Sequence, residues 1–436
     1  MASTKTAPEE STKEEAEAAR KRDRVVRTLN LILACSVSAY QLPFQADSGA
    51  VFPSDPTRAL TTLATTASVS GALEFLLCPT IGRAADTVGR RCFFIVQGLL
   101  VALTYATVAL QGGTSVPLAL VGKVLRTMNY AMTSASGVLA LTMFGDVLTA
   151  QGFVLARARS VAVTGFVSAL APAISSRLMR QKAGVRKIYA ITASLAAGQV
   201  ALASLILPET LSAKNRKPFT IANPFGFLKL FTYSKSMSKM IAATLCTNFP
   251  ELKNLTDLYI TWYRNETSID LERFRSLVGL TMIPSGLFMV PSLTKFLGMF
   301  NFTTFANITM FSSFLSTAVM PWSGSSSSQQ QLMYLSLLLM LPGVTGNSGA
   351  TLRACSMKFG MDAGLTSGEY AGFQSNLKAI GGMVAPALYG RVYSYCKLHG
   401  RSPAFSWAVV MLMCTVMPEI LWRSIPARDL PDLSKK

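Results

Sequence analysis

The sequence predicts an all-α membrane protein: twelve transmembrane helices arranged as two six-helix bundles. Composition is the first reason, since half of the 436 residues are hydrophobic and only 14% are charged, against about 25% in soluble domains. Mean hydropathy, +0.38, agrees. The second is that apolar runs long enough to cross a bilayer, roughly 20 residues at about 1.5 Å each, recur along the chain with polar breaks between them. The third is a polar, Pro-interrupted stretch near the middle that separates two sets of six runs.

Residues 1–25 begin acidic, with Glu9, Glu10, Glu14, Glu15 and Glu17, and end basic, with Arg20, Lys21, Arg22 and Arg24. Acids argue against an organellar transit peptide, and no apolar core marks a cleaved signal. A disordered cytosolic tail with a short charged helix is expected. The spans follow at about 26–46, 60–81, 92–111, 116–144, 158–179, 187–207, 238–262, 274–297, 301–321, 330–354, 369–395 and 404–422. They define an N-terminal bundle over 26–207, a cytoplasmic linker over 208–237, a C-terminal bundle over 238–422 and a cytosolic tail over 423–436. Within the linker, Phe225, Leu228 and Phe231 recur every three residues beside Lys229, Lys235 and Lys239, the pattern of an amphipathic helix on a membrane surface.

Lys and Arg concentrate in the tails, the linker and the loops on the same side, which places both termini in the cytosol. One loop dissents: Arg177, Arg180, Lys182, Arg186 and Lys187 face outward between spans 5 and 6. Asn265-Glu266-Thr267 is a glycosylation sequon in an outer loop. A multi-pass protein of the plasma membrane or an endomembrane is expected. The net charge of +19 is accounted for by basic loops at anionic headgroups, so the lipid bilayer is a partner and nucleic acid is not. Seven cysteines without metal-type spacing and one histidine, His399, point to no metal, no cofactor and no enzyme.

The most specific segment is GRAADTVGRR, Gly82 to Arg91, between spans 2 and 3. Gly82 and Gly89 are read as the two reversal points of a tight turn, and Asp86 lies among Arg83, Arg90 and Arg91. Gly82, Ala85, Asp86, Gly89, Arg90 and Arg91 resemble the loop between helices 2 and 3 of major facilitator superfamily transporters. LPETL after span 6, Pro218-Phe219, Asn223-Pro224, Arg126 in GKVLRTMNYA, Asp146 in FGDVL, Arg157, and Gly165 and Pro172 in TGFVSALAPAI narrow it further. They resemble the twelve-span drug:proton antiporter and tetracycline-resistance branch. The second half matches mainly through GEYAGFQSNLKAIGGMVAPALYG of span 11.

The resemblance implies the major facilitator fold and a gating role for Gly82, Asp86, Gly89, Arg90, Arg91 and Asp146. Asp86 is to face the start of span 11 near Ser367–Glu369, and Arg90 to pair with Asp146. Three departures bear on activity. Lys295 replaces the second-half counterpart of Asp86, Ala171-Pro172-Ala173 replaces the Gly-rich signature of span 5, and span 1 has no embedded aspartate, its nearest acid being Asp47.

An ionisable side chain at bilayer depth costs at least about 2.5–3.5 kcal/mol and needs a partner or a wet cavity. Glu74, Arg126, Asp257 and Lys378 are therefore coupling or substrate candidates; Arg126 is also placed near the proton-coupling site by resemblance, and Glu74 is its candidate partner. Glu251, Lys253 and Asn254 cluster with Asp257, while Lys123 near a span end snorkels. Tyr40, Gln41, Asn129, Tyr130, Tyr259 and Trp262 are candidate lining residues. Together these imply a secondary transporter of a small organic molecule working by alternating access, with no cofactor. Proton-coupled efflux is one mode, uniport or symport another. A transporter-like receptor or scaffold without flux is the competing class.

Overall fold

In the computed structural model the described residues are 7–43, 56–110, 137, 139–213, 216, 218–219, 221, 223–248, 269, 271–342, 347–401 and 411–426. Every regular element among them is helical. Span 1 is Ala7–Gln41, span 2 Pro56–Val88, span 3 Arg90–Leu110, span 5 Ala150–Met179 and span 6 Gly184–Leu205; residues 139–147 are the described end of span 4. The second half opens with Lys235–Asn248 of span 7. Span 8 is Leu271–Pro284 with its continuation to Gly298, and span 9 runs from there to Val319. Span 10 comprises Ser326–Met340 and Asn347–Asp362, span 11 is Ser367–Leu398, and span 12 ends in Met417–Arg423.

Four places differ from the sequence expectation. Residues 7–25 are helical rather than disordered, because Glu, Ala, Lys and Arg are strong helix formers and the segment continues span 1 without a breaker. The helix enters the core at Val25, Val26 and Leu29, all buried. The expected ten-residue turn between spans 2 and 3 is a single-residue break: span 2 stays helical through Gly82 to Val88, and only Gly89, at φ 110°, leaves the helical region. Span 10 extends beyond 354 to Asp362, since Arg353 and Lys358 interrupt its hydropathy but not its helix.

The fourth is the linker. Its Phe-rich part is a 3₁₀ helix, Pro224–Phe231, not an α-helix. Asn223 caps it by accepting the Phe225 N–H at 2.9 Å, and Pro224 at the first position is preset for helix entry. Residues three apart eclipse in a 3₁₀ helix. Phe225 and Leu228 thus share an exposed face, whereas Phe227 and Leu230 are buried in the core.

Proline and glycine account for the remaining irregularities. Pro284 withholds an N–H and is followed by the π-helical turn Ser285–Met289. Gly298, at φ 72°, makes the break between spans 8 and 9. The halves meet along two seams of close backbone approach. On the first, span 2 packs on span 11: a Cβ on Gly82 would meet the Gly368 carbonyl at 2.7 Å, and one on Gly372 would lie 3.1 Å from Pro79 Cα. On the second, span 5 packs on span 8, where a Cβ on Gly165 would lie 2.7 Å from the Gly279 carbonyl.

Candidate functional site

The face that carries the linker is held shut by a polar network on the first seam. The Thr366 hydroxyl donates to Asp86 Oδ2 at 2.9 Å and accepts the Glu369 N–H at 3.1 Å, capping span 11. A Cβ on Gly368 would collide with the same carboxylate. Asp86 is therefore a negative charge at a helix N-terminus, where exposed N–H groups favour one. Beside it the Arg83 guanidinium donates to Glu369 Oε1 at 3.2 Å and to the Ile221 carbonyl of the linker at 3.3 Å.

Behind this contact lies a second layer. Arg90 is buried, with its guanidinium between Asp86 Oδ1, at 3.5 Å, and the Asp146 carboxylate of span 4. The Thr210 hydroxyl, from the linker, donates to Asp146 at 3.0 Å. Glu209 accepts the Arg91 N–H at 3.1 Å and, through its other oxygen, the Thr210 and Leu211 N–H groups. The Arg91 side chain donates to the carbonyls of Ala203 and Ser204 at the end of span 6, satisfying two acceptors that a helix C-terminus leaves open. Gly89 is required twice over, by its positive φ and because a Cβ there would lie 2.6 Å from the Glu209 carboxylate.

All six residues assigned to gating thus lie in or against one network, though Gly82 serves as a contact surface rather than a turn. Glu209 and Thr210 entered the sequence reading only as part of the LPETL motif, with no role assigned, and Thr366 did not enter it. Their available signals were an acid at the head of a basic linker and a Thr three residues before Glu369, the capping-box spacing.

A small, partly open cavity lies between the halves. Leu141, Thr142 and Phe153 line it from spans 4 and 5; Arg353, Met357, Tyr370, Ala371, Gln374 and Lys378 line it from spans 10 and 11. The Gln374 amide donates to the Tyr370 hydroxyl at 2.7 Å. Its buried Oε1 has no hydrogen-bond partner.

Glu74 is buried on span 2. Seam contacts set its depth: a Cβ on Gly71 would lie 3.0 Å from the Met383 nitrogen, and Pro79 abuts Gly372. In antiparallel helices that register brings Glu74 level with Lys378 to within a turn. Phe75 packs on Phe225 and Phe227 of the linker, and Asn376 donates to the Pro224 carbonyl. Of that level pair, Lys378 lines the cavity and Glu74 is buried. Arg126 and Asp257 lie outside the described residues, as do Asp47, Lys123, Asn129, Tyr130, Glu251, Lys253, Asn254, Tyr259, Trp262 and the Asn265 sequon. Of the expected lining residues, Gln41 donates instead to Ser168 of span 5 at 2.7 Å.

No family model and no curated protein matches the chain by sequence. Solved structures do match it in three dimensions. The human organic anion transporter MFSD10 (TETRAN) aligns at 17% identity over 92% of this chain and 99% of its own, with a TM-score of 0.69. The proton:xylose symporter XylE aligns at 12% identity over 94% and 96%, with a TM-score of 0.69. A bacterial homologue of the iron transporter ferroportin, in an outward-facing state, aligns at 15% identity over 92% and 98%, with a TM-score of 0.65.

The chain has the major facilitator fold. Twelve helices in two six-helix bundles follow from it, and the structures that share it here are transporters rather than enzymes.

Proposed function

We propose that the chain is a secondary active transporter that carries a small organic solute across a membrane by alternating access. The observation that carries this reading is the pairing of a sealed face with a cavity between the halves: the Asp86–Thr366 contact and its supporting network close one side of a space that both halves line. Gly82, Asp86, Gly89, Arg90, Arg91 and Asp146 act as the gate, and opening requires span 11 to leave span 2. Glu74 and Lys378 serve coupling or solute binding at the level of the seam. The transport named for the similar structures, of organic anions, iron and xylose, supports the class. The drug-antiporter motifs add proton-coupled efflux as one mode, beside uniport and symport.

Purified protein in proteoliposomes, screened for flux with and without a pH gradient, tests the reading. Saturable flux is expected; a folded protein that binds a solute but moves none is a receptor or scaffold instead. The linker is assigned to the cytosol in a plasma membrane or endomembrane, its Phe225–Leu228 face on the lipid. A cysteine at position 216 should react with an impermeant reagent only from the cytosolic side, and reaction only from the outside would invert the topology.

A further inference from the structure

Building on the transport reading, we infer that the solute carries a hydrogen-bond donor, a hydroxyl or an N–H, and that the side-chain carbonyl of Gln374 in the cavity wall receives it. The direction of one hydrogen-bond chain fixes what Gln374 offers. The Ser356 hydroxyl on span 10 donates to the Leu352 carbonyl at 2.7 Å, the usual return of a helical serine to the carbonyl four residues back. Its oxygen is then the acceptor for the Tyr370 hydroxyl of span 11. With that proton spent, the Tyr370 oxygen accepts in turn, and Gln374 Nε2 donates to it at 2.7 Å. The chain therefore sets the amide with its nitrogen toward Tyr370 and leaves the carbonyl oxygen, Oε1, at its end.

Ser356, Tyr370 and Gln374 are all buried, and Oε1 has no hydrogen-bond partner among the described residues. Gln374 lines the cavity from the same helix as Tyr370 and Ala371. A buried acceptor left unmet is costly, so a solute that brings a donor binds more tightly than the same body without one. Leu141, Phe153 and Met357 supply apolar wall for that body, as in most small-molecule sites. Spans 10 and 11 both belong to the second half, so the chain and the acceptor it presents persist when the halves rock.

The test compares ligands that share a body and differ only in the donor. Purified protein in phosphatidylcholine nanodiscs is titrated with benzyl alcohol and its para-carboxylate and para-trimethylammonium derivatives, each beside its methyl ether, so that charge varies between pairs and the donor within them. Binding is read as a saturable thermal shift. At least one alcohol is expected to bind, about 5- to 100-fold more tightly than its ether, the range of a buried acceptor left unmet. Gln374→Met, of similar length without the amide, should bring the two affinities together. Tyr370→Phe frees the amide to turn its N–H toward the solute, so the preference should fall or reverse in favour of the ether, a change that loss of packing alone does not produce. No binding by any alcohol, ethers that match their alcohols on the unaltered protein, or an undiminished preference in Gln374→Met overturns the inference. The comparison of probes on the unaltered protein decides even where a variant fails to fold. Flux of the bound probe is measured separately in proteoliposomes. An alcohol preference in binding without flux leaves this acceptor standing and removes the transport reading, while flux of an ether as fast as its alcohol does the reverse.

Discussion

The two seams between the halves occupy equivalent places: span 2 is second and span 11 fifth in its half, as span 8 and span 5 are in theirs. Their chemistry differs. The seam of spans 2 and 11 carries Asp86, the Arg83–Glu369 pair, Glu74 and Lys378. The seam of spans 5 and 8 is built mainly from small side chains, Gly279 and Gly286 against Ala158, Ala162, Gly165 and Ala169, with the buried hydroxyl of Ser285. The helix starts differ likewise. Span 5 is capped locally, Thr149 accepting the Gly152 N–H at 3.2 Å. Span 11 is capped by Thr366, which a carboxylate from the opposite half holds in turn. Lys295, at the place corresponding to Asp86, is exposed. One seam therefore closes by charge and the other by contact. Opening the first breaks directional interactions, whereas the second slides or rocks over packed backbone.

Removing the buried cation should break this contrast most severely. Arg90→Gln leaves Asp86 and Asp146 facing each other without their shared partner, and losing one member of a buried pair costs about 3–5 kcal/mol. A sharp fall in folded yield and thermal stability is expected; an unchanged melting temperature would show that the arginine contributes little.

Next comes Gly82→Leu, which forces the seam apart where a single Cβ already meets the Gly368 carbonyl. Overpacking costs about 1–3 kcal/mol. Its expected result is an open linker face, read as faster labelling of a cysteine placed at the partly buried Leu365 in a cysteine-free background, with transport lost.

Asp86→Asn is milder, because the amide oxygen still accepts from Thr366. The charge at the helix terminus is lost, typically about 0.3–1 kcal/mol, while Arg90 keeps Asp146 as its carboxylate partner. Flux should fall a few-fold while insertion is normal, with more protein open toward the linker face; equal flux at equal surface amount would remove Asp86 from the latch. Lys295→Asp should do least. Thr149 already caps the helix start on that seam, so inter-half distances by spin labelling should match the parent, and a shift toward closure would mean that the second seam accepts the same latch.

Much of this was legible in the sequence. Periodic apolar runs gave the span count, and the resemblance of Gly82–Arg91 marked the segment that forms the network. What the sequence obscured has physical causes. Gly82 reads as a turn because glycine serves tight turns and close helix packing alike, and one chain does not reveal which partner approaches. Arg353 lay one residue inside the expected end of span 10 at 354, where a cation at the bilayer face is ordinary, and only the continuation of the helix to Asp362 moves it inward. Glu209 in a basic linker reads as a solvated charge until the fold brings Arg91 to it. The linker phenylalanines kept their three-residue spacing, yet that spacing suits a 3₁₀ helix as well as an α-helix, and Pro224 after Asn223 favoured the tighter start.

The unbroken helix from Ala7 to Gln41 gives the first half a lever. The stretch before Val25, about 18 residues, makes a stiff arm of about 27 Å fixed to span 1. A rigid-body rotation of about 15°, the size found in other switching proteins, would sweep its tip through about 7 Å. A probe near Lys13 therefore magnifies the tilt of its whole half into a displacement that distance spectroscopy resolves, at a site remote from gate and cavity alike.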